Sequence, residues 1–263
     1  RLRPTDCDKR DFGRLLAVIC SRKLGWAALM CARGALNAGV GLLTCCVPES
    51  LHASFVAACP EAMWVPVPES PEGSMALEGL GLIRQHLSEA DALVVGPGIG
   101  PDQESHSLVR EVVKLFSGPI LLDADALRPR ILDAIEPKDN LVLTPHAGEI
   151  KRLAEGLDPM NFARSFAGVV LAKGSRTVIF GGGRALHLFC GSSLLARGGS
   201  GDLLSGIVSA LMARGNRSNL DCAALGALWH AKSAEALARQ HGQEAVTVGQ
   251  VAEYMSFALR NDF

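Results

Sequence analysis

Short apolar runs recur along the chain at 14–19, 42–47, 63–67, 92–95, 120–122, 141–143, 169–171 and 177–180. Each is rich in Val, Ile or Leu and too short to build a buried helix, so each predicts a strand. Between them, segments 27–37, 50–58, 75–87, 103–116 and 149–155 carry apolar residues at helical spacing. Strands that are apolar on both faces, separated by helices, predict a mostly parallel sheet covered on both sides. The rhythm changes after Phe180. Gly181-Gly182-Gly183 predicts a hairpin turn into a strand at 185–189. Helices then follow over 201–213, 221–240 and 248–259, with Gly215 and Gly242 as stop signals. No repeat or linker interrupts the pattern, which predicts a single α/β domain over 1–263.

Composition narrows the class. The 263 residues are 48% hydrophobic and 20% charged, enough for a sizeable core and too apolar for a disordered chain. Twenty-six basic against 27 acidic residues give a net charge of −1. That balance excludes a broadly basic surface for a nucleic-acid polymer and a polybasic membrane patch. No apolar stretch is long enough to span a bilayer, and the first residues lack a signal-peptide core. The chain does not begin with Met and is therefore expected to be part of something longer. Its cysteines, at 7, 20, 31, 45, 46, 59, 190 and 222, form no C-x-x-C pair and mostly sit in apolar runs. They are expected to be buried thiols in a reducing cytosol, with Cys45 and Cys46 on opposite faces of one strand.

Candidate chemistry gathers at the ends of the predicted strands. Gly198-Gly199-Ser200-Gly201-Asp202 opens an amphipathic helix. Glycines admit a ligand close to the backbone, and free N–H groups at a helix start favour an anion. Asp202 there can act as a base beside a transferring phosphoryl group, or Ser200 and Asp202 can simply cap the helix. Gly96-Pro97-Gly98-Ile99-Gly100 follows the run 92–95, where open α/β sheets bind ligands. Neither a G-x-G-x-x-G nor a Walker pattern occurs. Asp123 and Asp125 end another strand and can organise a metal or cap the next turn. His146 in Thr144-Pro145-His146-Ala147-Gly148-Glu149 ends a further strand, and Lys173-Gly174-Ser175-Arg176-Thr177 offers a cation and hydroxyls suited to phosphate. His230, beside Trp229 in a helix, reads as packing or surface.

In order, these segments resemble the ADP/ATP-dependent NAD(P)H-hydrate dehydratases, within the ribokinase-like superfamily. The resemblance runs from about Asp11 to Leu259, through 11–14, 38–42, 96–100, 123–127, 144–149 and 198–202. It implies a three-layer sandwich with helices on both faces of a mostly parallel sheet. It also implies repair of NADH or NADPH whose nicotinamide ring has been hydrated. A nucleotide phosphorylates the hydroxyl, and loss of phosphate restores the ring. By position, Asp202 would be the base, and the backbone of 199–201 the anion hole. Lys173, Gly174, Ser175, Arg176 and Thr177, with Gly199, Ser200 and Gly201, would hold ADP or ATP. Ala27, Gly98, Gly100, His146 and Asp202 would line the hydrated dinucleotide. Mg2+ is expected with the nucleotide, with Glu149 and Asp123 as its organisers. The resemblance further implies a cytoplasmic homo-oligomer and a fused or separate epimerase domain.

Several positions depart from the family pattern. The early loop, usually Gly-Gly-Ser, an aromatic and then Gly-Ala, is here 19–27, one residue shorter and containing Trp26. Arg128 stands for an Asn, Ala147 for a Pro, and 192–197 for Asn-Pro-Gly-Met-Ala-Thr. Arg197 beside the phosphoryl site can neutralise charge there or obstruct it. Two other readings compete: a ribokinase-like small-molecule kinase that stops after phosphorylation, and a degenerate nucleotide-binding domain.

Overall fold

In the computed structural model, which describes residues 5–261, every one of those apolar runs is a strand. They are β1 Arg14–Val18, β2 Leu42–Pro48, β3 Met63–Val67, β4 Ala92–Val95, β5 Ile120–Leu122, β6 Leu141–Leu143, β7 Val169–Ala172, β8 Val178–Gly181 and β9 Arg184–His187. They form one sheet in the order β3-β2-β1-β4-β5-β6-β7-β8-β9. The first seven are parallel, and β8 and β9 are antiparallel. The direction changes between β7 and β8, whose connection over 173–177 is too short for the crossover a parallel pair needs, and the turn at Gly182 and Gly183, with φ of 55° and 72°, then makes the β8–β9 hairpin.

The helices are α1 Gly25–Asn37, α2 His52–Ala58, α3 Leu80–Leu87, α4 Gln103–Lys114, α5 Pro129–Leu132, α6 Ala147–Leu153, α7 Pro159–Ser165, α8 Ser200–Ala213, α9 Asn219–His241, α10 Val248–Glu253 and α11 Met255–Asn261. Three expectations change. The helix expected from residue 75 starts five residues later, because Met75 pairs with Glu69 across a turn closed by Ser70 N–H to the Ser74 carbonyl at 2.8 Å. The helix expected over 248–259 is divided at Tyr254, whose hydroxyl is gripped by Gln240 and His241 of α9. The strand expected at 185–189 also ends early, at His187.

Alternate residues of each strand enter different cores. Leu15, Ala17, Cys45 and Val94 join α1, α8, α9 and α10 on one face. Leu16, Val18, Cys46 and Leu93 join α3 to α7 on the other. The adjacent cysteines thus point to opposite faces, as a strand requires. Helices α1 and α8 meet backbone to backbone. A Cβ at Gly34 would lie 2.3 Å from the Leu203 carbonyl oxygen, and one at Gly206 would lie 2.0 Å from that of Cys31. Only glycine permits this approach, and it sets where the start of α8 lies relative to the sheet.

Candidate active site

The strand order reverses direction between β1 and β4, which makes their carboxyl ends a crevice. The loops leaving these two strands are tied together by a hydrogen bond from Cys20 N–H to the Pro97 carbonyl at 2.7 Å. Gly98, at φ 68°, is packed so tightly that a Cβ would meet the Ala27 methyl at 2.8 Å and the Leu24 carbonyl oxygen at 2.9 Å. Cys20 holds φ 78°, a left-handed conformation that costs a residue with a Cβ about 1 kcal/mol. That strain sits in the loop where the family pattern has glycine.

The crevice continues into a cleft of about 1500 Å³ that reaches the start of α8. Gly199 is the residue before α8 and takes φ 93°, and the first helical residues, Ser200, Gly201 and Asp202, line the cleft. Asp202 lies in the first turn and lines the cleft while remaining 8% exposed. Beside it is a buried charge cluster. Lys173 Nζ lies 2.7 Å from Asp123 Oδ1, and Ser205 Oγ donates to Asp123 Oδ2 at 2.7 Å. Gly201 is small because a Cβ there would come within 3.2 Å of the Lys173 ammonium. The Lys173 backbone N–H donates to the Pro145 carbonyl at 2.8 Å, joining the ends of β6 and β7.

His146 caps α6. Its Nδ1 accepts from the N–H groups of Gly148 and Glu149 at 3.0 and 3.3 Å, which puts the ring proton on Nε2, 3.3 Å from Glu149 Oε1. The other Glu149 oxygen accepts from the His146 N–H at 2.8 Å. His230, from α9, is buried at the base of the cleft with Nε2 3.4 Å from Ser200 Oγ.

These surroundings tune the acids. Burial and then the Asp123 charge push Asp202 up to about 7, with the Lys173 ammonium opposing them. A carboxyl in that range exchanges protons near neutral pH, as a general base must. Burial also raises Glu149, with Lys173 opposing. For Lys173 itself, burial favours the neutral amine, but the pair with Asp123 outweighs it and keeps the ammonium. Burial, then Lys173, lowers His230 to about 4, so its imidazole is neutral at pH 7.

A family model for NAD(P)H-hydrate dehydratase matches residues 16–256. The chain belongs to this family. It is 35% identical over 264 residues to a bifunctional NAD(P)H-hydrate repair enzyme of Moorella thermoacetica, covering 95% of this chain and 50% of that one. The corresponding enzyme of Gloeobacter violaceus is 38% identical over 271 residues, covering 98% and 51%. The chain thus spans about half the length of these relatives. Among solved structures, the ADP/ATP-dependent NAD(P)H-hydrate dehydratase of Bacillus subtilis co-crystallised with ATP and Mg2+ superposes with TM-score 0.83 at 23% identity, covering 98% of this chain and 93% of that one. A ribokinase-like protein of Enterococcus faecalis gives 0.85 at 24%, covering 98% and 91%. The fold is therefore α/β and ribokinase-like.

On this NAD(P)H-hydrate dehydratase scaffold, Asp202, Lys173, Gly174, Ser175, Arg176, Thr177, Ser200, Gly201, Ala27, Gly98, His146, Glu149 and Asp123 all line one cleft. Gly199 and Gly100 stand just behind it. Gly199 lies against Trp26 and Met30, and Gly100 donates its N–H to Asp125 Oδ2 at 3.1 Å. Asp123 makes no capping bond.

The same contacts weigh against Asp123 and Glu149 as direct magnesium ligands. Both Asp123 oxygens already accept from an ammonium and a hydroxyl, and both Glu149 oxygens face His146. Among the described residues no group of three or more carboxylate, imidazole or thiol side chains is arranged to hold a metal ion. Arg197 also lines the cleft, with its guanidinium held by the carbonyls of Gln243, Glu244 and Val246 at 2.6 to 3.0 Å.

Sequence reasoning missed Ser205 and undervalued His230. The signal for Ser205 was present. Asp202, Ser205 and Ser209 fall at i, i+3 and i+7 on a helix that is otherwise apolar, which marks one polar stripe. His230 faces the cleft through tertiary packing of α9, which has no counterpart in local spacing.

Proposed function

We propose that the chain catalyses the ADP- or ATP-dependent dehydration of hydrated NADH or NADPH. The hydrate hydroxyl is a poor leaving group, so the chemistry runs in two stages. Asp202 takes the hydroxyl proton as the oxygen attacks the terminal phosphoryl group. A P–O bond forms to the substrate, and the bond to the nucleotide breaks. The backbone N–H groups at the start of α8 stabilise the charge on the phosphoryl oxygens, and the Lys173 ammonium adds a fixed positive charge. Loss of phosphate with a ring proton then regenerates the double bond. No step here passes through Asp123 or Glu149 as metal ligands.

The observation that carries this reading is the buried Asp202, tuned to about 7 in the first turn of α8 beside the Lys173–Asp123 pair. Lys173, Gly174, Ser175, Arg176 and Thr177, with Ser200 and Gly201, form the nucleotide side. Ala27, Gly98 and His146 form the dinucleotide side; Gly100 supports that side from behind, and Gly199 supports the nucleotide side. The chain reads as one domain, corresponding to the dehydratase part of relatives called bifunctional. A fused or separate epimerase partner fits that name, and a homo-oligomer fits the family resemblance. Cys20, Cys31, Cys45, Cys46, Cys59 and Cys222 are buried thiols outside any disulfide, which suits a reducing compartment such as the cytoplasm. Among the described residues no helix is long and apolar enough to cross a membrane.

The test is to incubate the protein with hydrated NADH, Mg2+ and either ADP or ATP, and follow the absorbance of the regenerated reduced ring. Nucleotide-dependent recovery is expected. Phosphate transfer to other alcohols without recovery would instead make it a small-molecule kinase, and nucleotide binding without either would make it a degenerate domain.

A further inference from the structure

The start of α8 has two unlike flanks. On the Gly201 side stands the Lys173 ammonium, and on the Gly198–199 side stands the indole of Trp26. A Cβ at Gly198 would lie 3.8 Å from Trp26 Cη2, and one at Gly199 would lie 3.4 Å from Cζ3. The benzenoid edge of the indole therefore packs beside the Gly198–Gly199 turn. Trp26 lines the cleft and is 48% exposed. The other tryptophans behave differently. Trp64 and Trp229 are each 7% exposed and donate their indole N–H to the carbonyls of Cys59 and Met255, both at 2.8 Å. A large aromatic ring half-open to a cleft, beside a phosphoryl-transfer base, has a flat face to offer a planar ligand.

We propose that Trp26 is a specificity-determining platform that packs against the pyridine ring of the dinucleotide. The inference rests on the reading of Asp202 as the base. The nucleotide's phosphates belong on the cationic flank, so the ring bearing the reactive hydroxyl lies on the opposite flank, against Trp26, Ala27 and Gly98. The conjugated, flatter ring of the repaired product has more face to stack than the puckered hydrate.

The full chain is titrated with nicotinamide mononucleotide and, separately, with AMP, following tryptophan emission. Nicotinamide mononucleotide is expected to quench, because the one tryptophan open to the cleft meets it. AMP is expected to have little effect. The quench should vanish in Trp26→Phe, while calorimetric affinity for nicotinamide mononucleotide stays near that of the parent. Trp26→Leu keeps bulk but loses the aromatic face, and should weaken that affinity and raise KM for the hydrate by about fivefold. ATP affinity and kcat should hold. Parent-like or tighter binding by Trp26→Leu would overturn the proposal, as would quenching by AMP equal to that by nicotinamide mononucleotide. Recovery assays separate the two readings. Repair at the parent KM by Trp26→Leu removes the platform and keeps the activity, whereas quenching without any repair keeps the ring site and removes the activity.

Discussion

The two faces of the sheet are built from different residues for different ends. The face under α3 to α7 is filled by large aliphatics such as Leu16, Leu93, Leu108, Ile120 and Leu122. The face under α1, α8 and α9 includes many small ones, among them Ala17, Ala28, Cys31, Ala32, Ala35 and Cys45, and two glycines at the α1–α8 contact. Large side chains fill volume and tolerate some repacking. Small ones let backbones touch, which fixes a helix in one place. The proposed chemistry sits on the second face, at the end of the helix held most closely. Stability and placement are thus largely assigned to opposite sides of one sheet.

Truncating the filler face should give the largest loss of stability. Leu108 is fully buried in α4, so Leu108→Ala is expected to cost about 2–5 kcal/mol in urea unfolding, with kcat of the folded enzyme unchanged. Gly206→Ala should cost about 1–3 kcal/mol by forcing α1 and α8 apart. Unlike the leucine change, it should also lower kcat, because the start of α8 moves with the helix. Equal kcat in both variants would erase the distinction between the faces. Ser205→Ala removes a hydrogen bond to the buried Asp123 and should cost about 1–3 kcal/mol. Its kcat should fall more than its ATP affinity, since Lys173 loses an anchored partner.

The sheet was legible because both of its faces are buried, which leaves uninterrupted apolar runs with clear ends. The β8–β9 hairpin was legible from Gly181-Gly182-Gly183, but the antiparallel pairing that already begins between β7 and β8 was not. The short helices α5 and α7 were not assigned, although Asp158 before Pro159 is a readable start and does accept from the Asn161 N–H at 2.8 Å. At the site, the strand-end motifs and the Asp202 turn stood out because glycine and charge are rare within apolar surroundings. The pairing of Lys173 with Asp123, 50 positions apart, did not. Nor did the hold on Arg197 by the carbonyls of Gln243, Glu244 and Val246. Both depend on how distant loops meet, which no local period encodes.

Burial at the start of α8 also makes the folded chain less stable as pH rises. Asp202 is raised from an unfolded value near 3.9 to about 7. Between those limits the folded chain holds a proton that the unfolded chain has released, so this group's contribution to stability falls as pH increases through the window. Asp202→Asn removes that loss. Its Tm should exceed the parent's above pH 7, and the gap should close towards pH 4. A gap that grew on acidification would have the wrong sign. The parent's kcat should rise with pH up to about 7, as the base form fills.

Asp202 is the centre of the proposed mechanism, and the direct measurement is the turnover of Asp202→Asn with hydrated NADH and nucleotide, alongside its ATP affinity. Turnover is predicted to drop by about 10²-fold or more while ATP binds nearly as before. Turnover close to that of the parent would contradict the mechanism.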